Sequence, residues 1–224
     1  MAVAAVIFDL DGTLIDSASF SVSILNSMLQ ARGSTKVITV ASVQRSLSLG
    51  GEALMQDALG ASAETSGEQL KAFRAEYERR PFPPQRVYPG VVEMLKALSS
   101  RGVRLAICTK KPAHLTHKVL SDLGWVSMFE VVSGGDSEPF SKPDARHLHA
   151  VVSRLGLAAE QVLFVGDSHV DALLAKNAAV RFVFADYGYD EGLVVPGECF
   201  AVVHEAAGVC ELVMGGSSPS PRKA

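Results

Sequence analysis

Short apolar runs that stop abruptly at an acidic or glycine-bearing turn constrain this chain more than any other feature. The first, residues 3–8, ends in Asp9-Leu10-Asp11-Gly12, and similar runs recur at 105–108, 131–132, 162–165 and 182–184. A run that is apolar at every position suits a strand buried on both faces. Between most of these runs lie segments with helical spacing. Val92, Leu95 and Leu98 precede Gly102; Leu115, Val119 and Leu123 precede Gly124; Leu148, Val151, Val152 and Leu155 precede Gly156. Each glycine falls where a helix ends in the left-handed conformation, and Pro143 suits the first turn of the third helix. This alternation predicts βαβ units in an α/β fold, with an open, doubly wound parallel sheet and right-handed crossovers.

One stretch interrupts the alternation. From Asp16 to about Pro84 only helical patterns occur: Phe20, Ile24 and Met28 before Gly33, then Leu54, Met55, Ala58 and Leu59, then Leu70, Phe73 and Tyr77. Ser66-Gly67-Glu68-Gln69 reads as a capping box for the last of these, and Pro81, Pro83 and Pro84 as a stiff return to the sheet. The expected organisation is a sheet domain of residues 1–15 and 86–214, a helical insertion of 16–85, and a polar tail, 215–224, expected to be disordered.

Composition removes several classes of function. Lys and Arg total 21 against 24 Asp and Glu, a net charge of −3. That leaves no basic surplus for a nucleic-acid backbone. Three scattered cysteines without a CxxC pair suit a reducing compartment, and no run approaches the ~18 apolar residues of a membrane span. A cytoplasmic protein without nucleic-acid or membrane partners is expected; oligomeric state is not legible.

The chemistry gathers at the strand ends, where ligands bind in such sheets. Asp9 and Asp11 leave the first strand together, with Gly12 permitting a tight turn. Crowded carboxylates repel unless a cation joins them or one takes a proton, and Mg²⁺ suits a site that accepts phosphate oxygens. The plain alternative is an Asp-Gly turn. Asp167 ends the fourth run and Asp171 follows one helical turn later; Asp167 or Ser168 as a simple helix cap is the alternative. Thr109, with backbone N–H groups at a helix start, makes an oxyanion site. Lys142 offers a counter-charge, unless it is an ordinary surface lysine.

Taken together, acidic pair, threonine, lysine and Gly-Asp arrive in order at successive strand ends. On FDLDGTLIDS, SLSLGGEAL, YPGVVEMLKAL, LAICTKKP, VVSGGDS, KPD, LFVGDSHVD and DYGY the chain resembles the haloacid dehalogenase superfamily, and within it the phosphoglycolate phosphatase group. The resemblance implies a Rossmannoid core with an α-helical cap formed by the insertion. It implies an Mg²⁺-dependent phosphatase acting on a small phosphorylated metabolite, with 2-phosphoglycolate the best guess. Asp9 would be the nucleophile and Asp11 the general acid and base. Thr109, Lys110 and Lys142 would hold the phosphoryl oxygens. Mg²⁺ would be bound by Asp9, the Asp11 carbonyl and Asp167, with Asp171, Gly12 and Thr13 in support. Arg45, in a cap loop with Gly50 and Gly51, is the candidate for a substrate carboxylate. Lys110 departs from the asparagine usual in the group. A sugar phosphomutase, a pyrophosphatase or, in another class, a phospho-accepting receiver module are the alternatives.

Overall fold

Six strands form one wholly parallel sheet: β1 (Ala5–Phe8), β2 (Arg104–Cys108), β3 (Val131–Ser133), β4 (Val162–Gly166), β5 (Arg181–Ala185) and β6 (Ala201–Val203), in the order β3-β2-β1-β4-β5-β6. These come from a computed structural model that describes residues 3–62, 64–189 and 192–215, the side chains of residues 45, 48 and 49 excepted. The chain winds outward from β1 to β3, then returns to β4 on the other side of β1. That reversal opens a crevice beyond the carboxyl ends of β1 and β4. Every residue of β1 and β4 is buried, as continuous apolar runs require.

Helices cover both faces, splitting the apolar interior into two layers. α5 (Val91–Ser100), α6 (Ala113–Asp122) and α7 (Ala145–Arg154) end one residue before a cap residue and then a glycine. Gly102, Gly124 and Gly156 take φ of 76°, 68° and 64°, the left-handed conformation expected of them. α8 (His169–Ala178) follows β4, and α9 (Ala207–Gly215) packs on α5. β6 and α9 extend the sheet domain beyond the strands expected from sequence. Pro143 lies outside the first turn of α7. Asp144 caps that helix by accepting from the Arg146 N–H, so the proline precedes the cap.

Between β1 and α5 lie four α-helices and, among the described residues, no strand: α1 (Ser17–Ala31), α2 (Val40–Leu49), α3 (Gly51–Leu59) and α4 (Ser66–Arg79). The two ends of the segment emerge side by side. Ile15 bridges Val87, Asp16 accepts from the Arg86 side chain at 3.1 Å, and the Asp16 N–H donates to the Arg86 carbonyl. Ser66 does not cap α4: Thr65 holds the cap position without a side-chain cap bond. The Thr65 hydroxyl is turned back onto the Ser62 N–H at 3.1 Å. Arg45 lies in α2, not in a loop. A Thr39/Ser42 capping box starts that helix, which continues until Gly50, at φ 117°, breaks it. The expectation for the Arg45 side chain lies outside the described residues, as does that for the tail beyond Gly215.

Candidate active site

The loop after β1 carries the acidic pair. The Asp9 N–H still donates to the Val165 carbonyl at 2.8 Å, so Asp9 leaves the sheet at the tip of β4 as well as β1. Its side chain is 13% exposed and faces Lys142 Nζ at 3.0 Å. The chain then coils so that the Leu14 and Ile15 N–H groups reach the Leu10 carbonyl. Asp11 thereby turns away from Asp9 towards Lys111 Nζ, 3.1 Å distant. Lys111 also lies over the Tyr77 ring of α4, 4.5 Å from its centroid. A lysine unremarked in the sequence thus ties the second aspartate to the helical insertion.

Asp167, at the end of β4, is 2% exposed. The Thr13 hydroxyl donates to its Oδ1 at 2.8 Å and the Tyr189 N–H to its Oδ2 at 2.9 Å. Asp171 is equally buried within a capping box. Ser168 Oγ donates to Asp171 Oδ2 at 2.6 Å and accepts from the Asp171 N–H. Lys142 Nζ donates to Asp171 Oδ1 at 2.6 Å, so both Asp171 oxygens are committed. The capping reading of this motif is therefore realised by Ser168 on one Asp171 oxygen, while the other faces Lys142. Thr109, buried after β2, accepts from the Lys111 N–H at 3.3 Å. Lys110 joins these residues in one cavity of about 180 Å³. From the insertion the cavity receives Leu47, Gly50, Leu54, Phe73 and Arg74.

Electrostatics follow from burying so much charge. Burial lifts the Asp9 carboxyl from 3.8 to about 6; Lys142 pulls it down, while Asp171 and Asp11 push it up. Asp167 is raised well above the ordinary carboxylate range, first by burial and then by Asp171 and Asp9. Burial alone would lower Lys142, but Asp171 and Asp9 outweigh it and hold the ammonium charged. Burial also pushes the neighbouring Cys108 thiol up to about 12, which removes it as a thiolate nucleophile.

A divalent cation fits these residues. Carboxylate oxygens of Asp9, Asp167 and Asp171 lie within 4.8 Å of one another. Asp9 Oδ1 is buried and receives no aligned hydrogen bond from its lysine neighbour. Lys142 and, further off, Lys110 against three carboxylates still leave negative charge that a cation or a proton can balance. An all-oxygen donor set suits Mg²⁺. Because both Asp171 oxygens are engaged, Asp9 and Asp167 are the better-placed side-chain donors. The Asp11 carboxylate is not in the cluster, which leaves its backbone carbonyl as the atom to consider.

Two glycines make room for this cluster. A Cβ on Gly12, whose φ is 83°, would stand 2.0 Å from Asp167 Oδ2. One on Gly188 would meet both Asp167 Cβ and the Gly12 carbonyl oxygen at 2.3 Å. Lys111, Gly188 and Tyr189 escape the sequence reading because their roles are contacts between distant loops. The DYGY stretch and the second lysine of Thr-Lys-Lys-Pro were the available signals.

The chain is similar to known proteins. Residues 6–185 match the family model of haloacid dehalogenase-like hydrolases. A phosphoglycolate phosphatase of Rhodospirillum rubrum is 37% identical over 212 residues, spanning 91% of this chain and 88% of its own. One from Agrobacterium fabrum is 35% identical over 207 residues, covering 90% and 88%. A crystal structure from Haemophilus somnus, described as a predicted phosphoglycolate phosphatase, superposes with a TM-score of 0.82 at 26% identity, covering 95% of this chain and 98% of that one.

Proposed function

The chain belongs to the haloacid dehalogenase-like hydrolase family and is a phosphoric monoester hydrolase; within it, we propose an Mg²⁺-dependent phosphatase of small metabolites, with 2-phosphoglycolate as the preferred substrate. One observation carries this proposal: Asp9 sits with its carboxylate beside Lys142, Asp167 and Asp171, in the lining of a cavity too small for a large substrate. Its ~180 Å³ falls below the range of pockets for drug-sized ligands. The names of the relatives support the choice of substrate. The three cysteines are free, and no helix among the described residues is long and apolar enough to cross a membrane. Both support a cytoplasmic enzyme that takes its substrate from solution.

In the proposed reaction an Asp9 oxygen attacks phosphorus and the bond from phosphorus to the alcohol oxygen breaks. Asp11 gives its proton to that oxygen, and an aspartyl-phosphate remains. Asp11 then removes a proton from water, which attacks phosphorus, releases phosphate and restores Asp9. Lys111 positions the Asp11 carboxylate beside the reacting bond. Thr109, Lys110 and Lys142 hold the phosphoryl oxygens. Asp9, the Asp11 carbonyl and Asp167 would hold Mg²⁺, with Asp171, Thr13 and Gly12 fixing their positions. The cation supplies the positive charge that lets an anionic carboxylate approach an anionic phosphate. The four-helix insertion is proposed as a cap whose closure excludes bulk water.

Phosphate release across a panel of phosphomonoesters tests this reading. Wild-type protein with Mg²⁺ should favour 2-phosphoglycolate, and exhaustive chelation should abolish turnover. Asp9→Asn should leave less than about a hundredth of the rate, since the amide cannot attack. Full activity in chelator, or in Asp9→Asn, would remove the metal or the nucleophile from the scheme.

A further inference from the structure

The cavity has two chemically different ends. Around the acidic cluster stand three lysines: Lys142, paired with Asp9 and Asp171; Lys111, paired with Asp11; and Lys110. The opposite wall, built by the insertion, is mostly apolar, with Ser17, Ser21, Tyr77 and one charged residue among its lining. Among the described residues lining the cavity, Arg74 of α4 is the one charged side chain that the insertion contributes. It is half-buried and forms no ion pair among the described residues, although Glu78 stands one turn further along the same helix. Its neighbours Arg79 and Arg80 both take Glu76.

Position along α4 relates Arg74 to the chemistry. Leu70, Phe73, Arg74 and Tyr77 share the cavity-facing side of the helix, as spacings of three and four residues require. Tyr77 marks where that face meets the catalytic loop, through its contact with Lys111. Arg74 lies three residues earlier, about 4.5 Å along the helix axis. A guanidinium there lines the same cavity as Asp9, Asp167 and Asp171. Leu54, Leu70 and Phe73 line the same cavity, and apolar surroundings strengthen an ionic contact. Its planar fork suits a carboxylate bidentately.

We propose that Arg74 is a specificity-determining residue, the cation that receives a carboxylate carried one or two carbons from the phosphoryl group. The proposal rests on the phosphatase reading above and adds to it the residue that selects the substrate class. Arg74 touches the non-reacting end of the substrate, so its contribution is to binding and not to phosphoryl transfer.

The test compares 2-phosphoglycolate with ethyl phosphate, which has the same two-carbon length and no carboxylate, in the Mg²⁺-supplied enzyme. Arg74→Ala should raise KM for 2-phosphoglycolate about ten- to a hundredfold, the scale of a lost charge-assisted contact. It should change ethyl phosphate turnover less than about threefold. Arg74→Lys should recover part of the loss, and Arg79→Ala, on the exposed face of the same helix, should change neither substrate. Equal losses on both substrates would make Arg74 a structural residue and overturn the proposal. So would no loss on either, or a selective loss in Arg45→Ala that Arg74→Ala does not show. The wild-type enzyme alone reports on the underlying reading. Absence of phosphate release from every ester would remove that reading, whereas turnover without the Arg74-dependent difference would remove only the proposal.

Discussion

At the scale of single residues, the site buries like charges against one another. Asp9 illustrates this with a measurable consequence. In the folded protein its carboxyl is lifted from 3.8 to about 6, chiefly by burial, against the pull of Lys142. Between those values the folded chain keeps a proton that the unfolded chain has released. Stability from this group is therefore fully present below about pH 4 and is lost as pH rises through about 6. The two pK values correspond to about 2–3 kcal/mol. Other groups titrate over the same interval, so the informative quantity is the melting temperature of Asp9→Asn minus that of wild type, both in chelator. The difference should be near zero at pH 4 and grow to about 5–10 °C in favour of the mutant at pH 7. A difference that shrinks or reverses with pH would show that Asp9 is not crowded. Adding Mg²⁺ at pH 7 should raise the wild-type melting temperature and close the gap, because a cation relieves the same repulsion.

At the scale of elements, the strand-end geometry depends on glycines whose roles differ in kind. Gly102 ends α5 at φ 76° with nothing within 4 Å of where a Cβ would stand. Gly102→Ala should therefore cost about 1 kcal/mol of stability and leave activity intact. Gly188 is not in that conformation, yet its Cβ would meet the Gly12 carbonyl oxygen and Asp167 Cβ at 2.3 Å. Backbone oxygen cannot rotate aside, so the loop must move and carry Asp167 with it. Gly188→Ala should cost about 1–3 kcal/mol and also raise the Mg²⁺ concentration needed for half-maximal activity. Denaturant melts and metal titrations on the two variants separate these effects; unchanged metal dependence in Gly188→Ala would free Asp167 from the proposed role. The same contrast explains what the sequence made legible. β1, β2, β4 and β5 are apolar at nearly every position because both faces are covered, and the glycines closing α5, α6 and α7 mark local backbone conformation. β6 has only three residues at the sheet edge, and the Ser66 box failed because Thr65 and Ser62 pair with each other. Asp9, Asp11, Thr109 and Asp167 were legible because each follows a recognisable strand within three residues. Lys142 and Asp171 were legible because they stand in short motifs, Lys-Pro-Asp and Gly-Asp-Ser-His-Val-Asp, in the loop or helix that follows a strand. The contacts of Lys111 and Gly188 are made across the fold, and no local pattern announces them.

At the scale of the whole molecule, the helical insertion is joined to the sheet domain by more than its two connecting strands. Phe20 of α1 packs edge-on against Tyr77 and Phe82, with ring centroids 4.8 and 5.2 Å away. Those rings belong to the same buried cluster as Leu115 and Leu120 of α6 and the inward residues of β1 and β2. The Phe82 N–H donates to Asp122 Oδ2 at 2.6 Å, and Lys118 of α6 bonds both Asp122 and the Arg80 carbonyl. Two bodies that share one apolar interior should lose it together, so unfolding is expected to be a single cooperative transition. Phe82→Ala tests this at the seam. The ring is 1% exposed, and its removal should cost about 3–5 kcal/mol. At roughly 2–4 °C per kcal/mol for a chain of this size, the melting temperature should fall by about 6–20 °C. Calorimetry should still show one peak, with the calorimetric and van't Hoff enthalpies in agreement. Two peaks, with only the lower one displaced by the mutation, would mean that the insertion melts independently. Its closure over the site would then be controlled by its own stability and not by the contacts that α4 and the Phe82 segment make with α6.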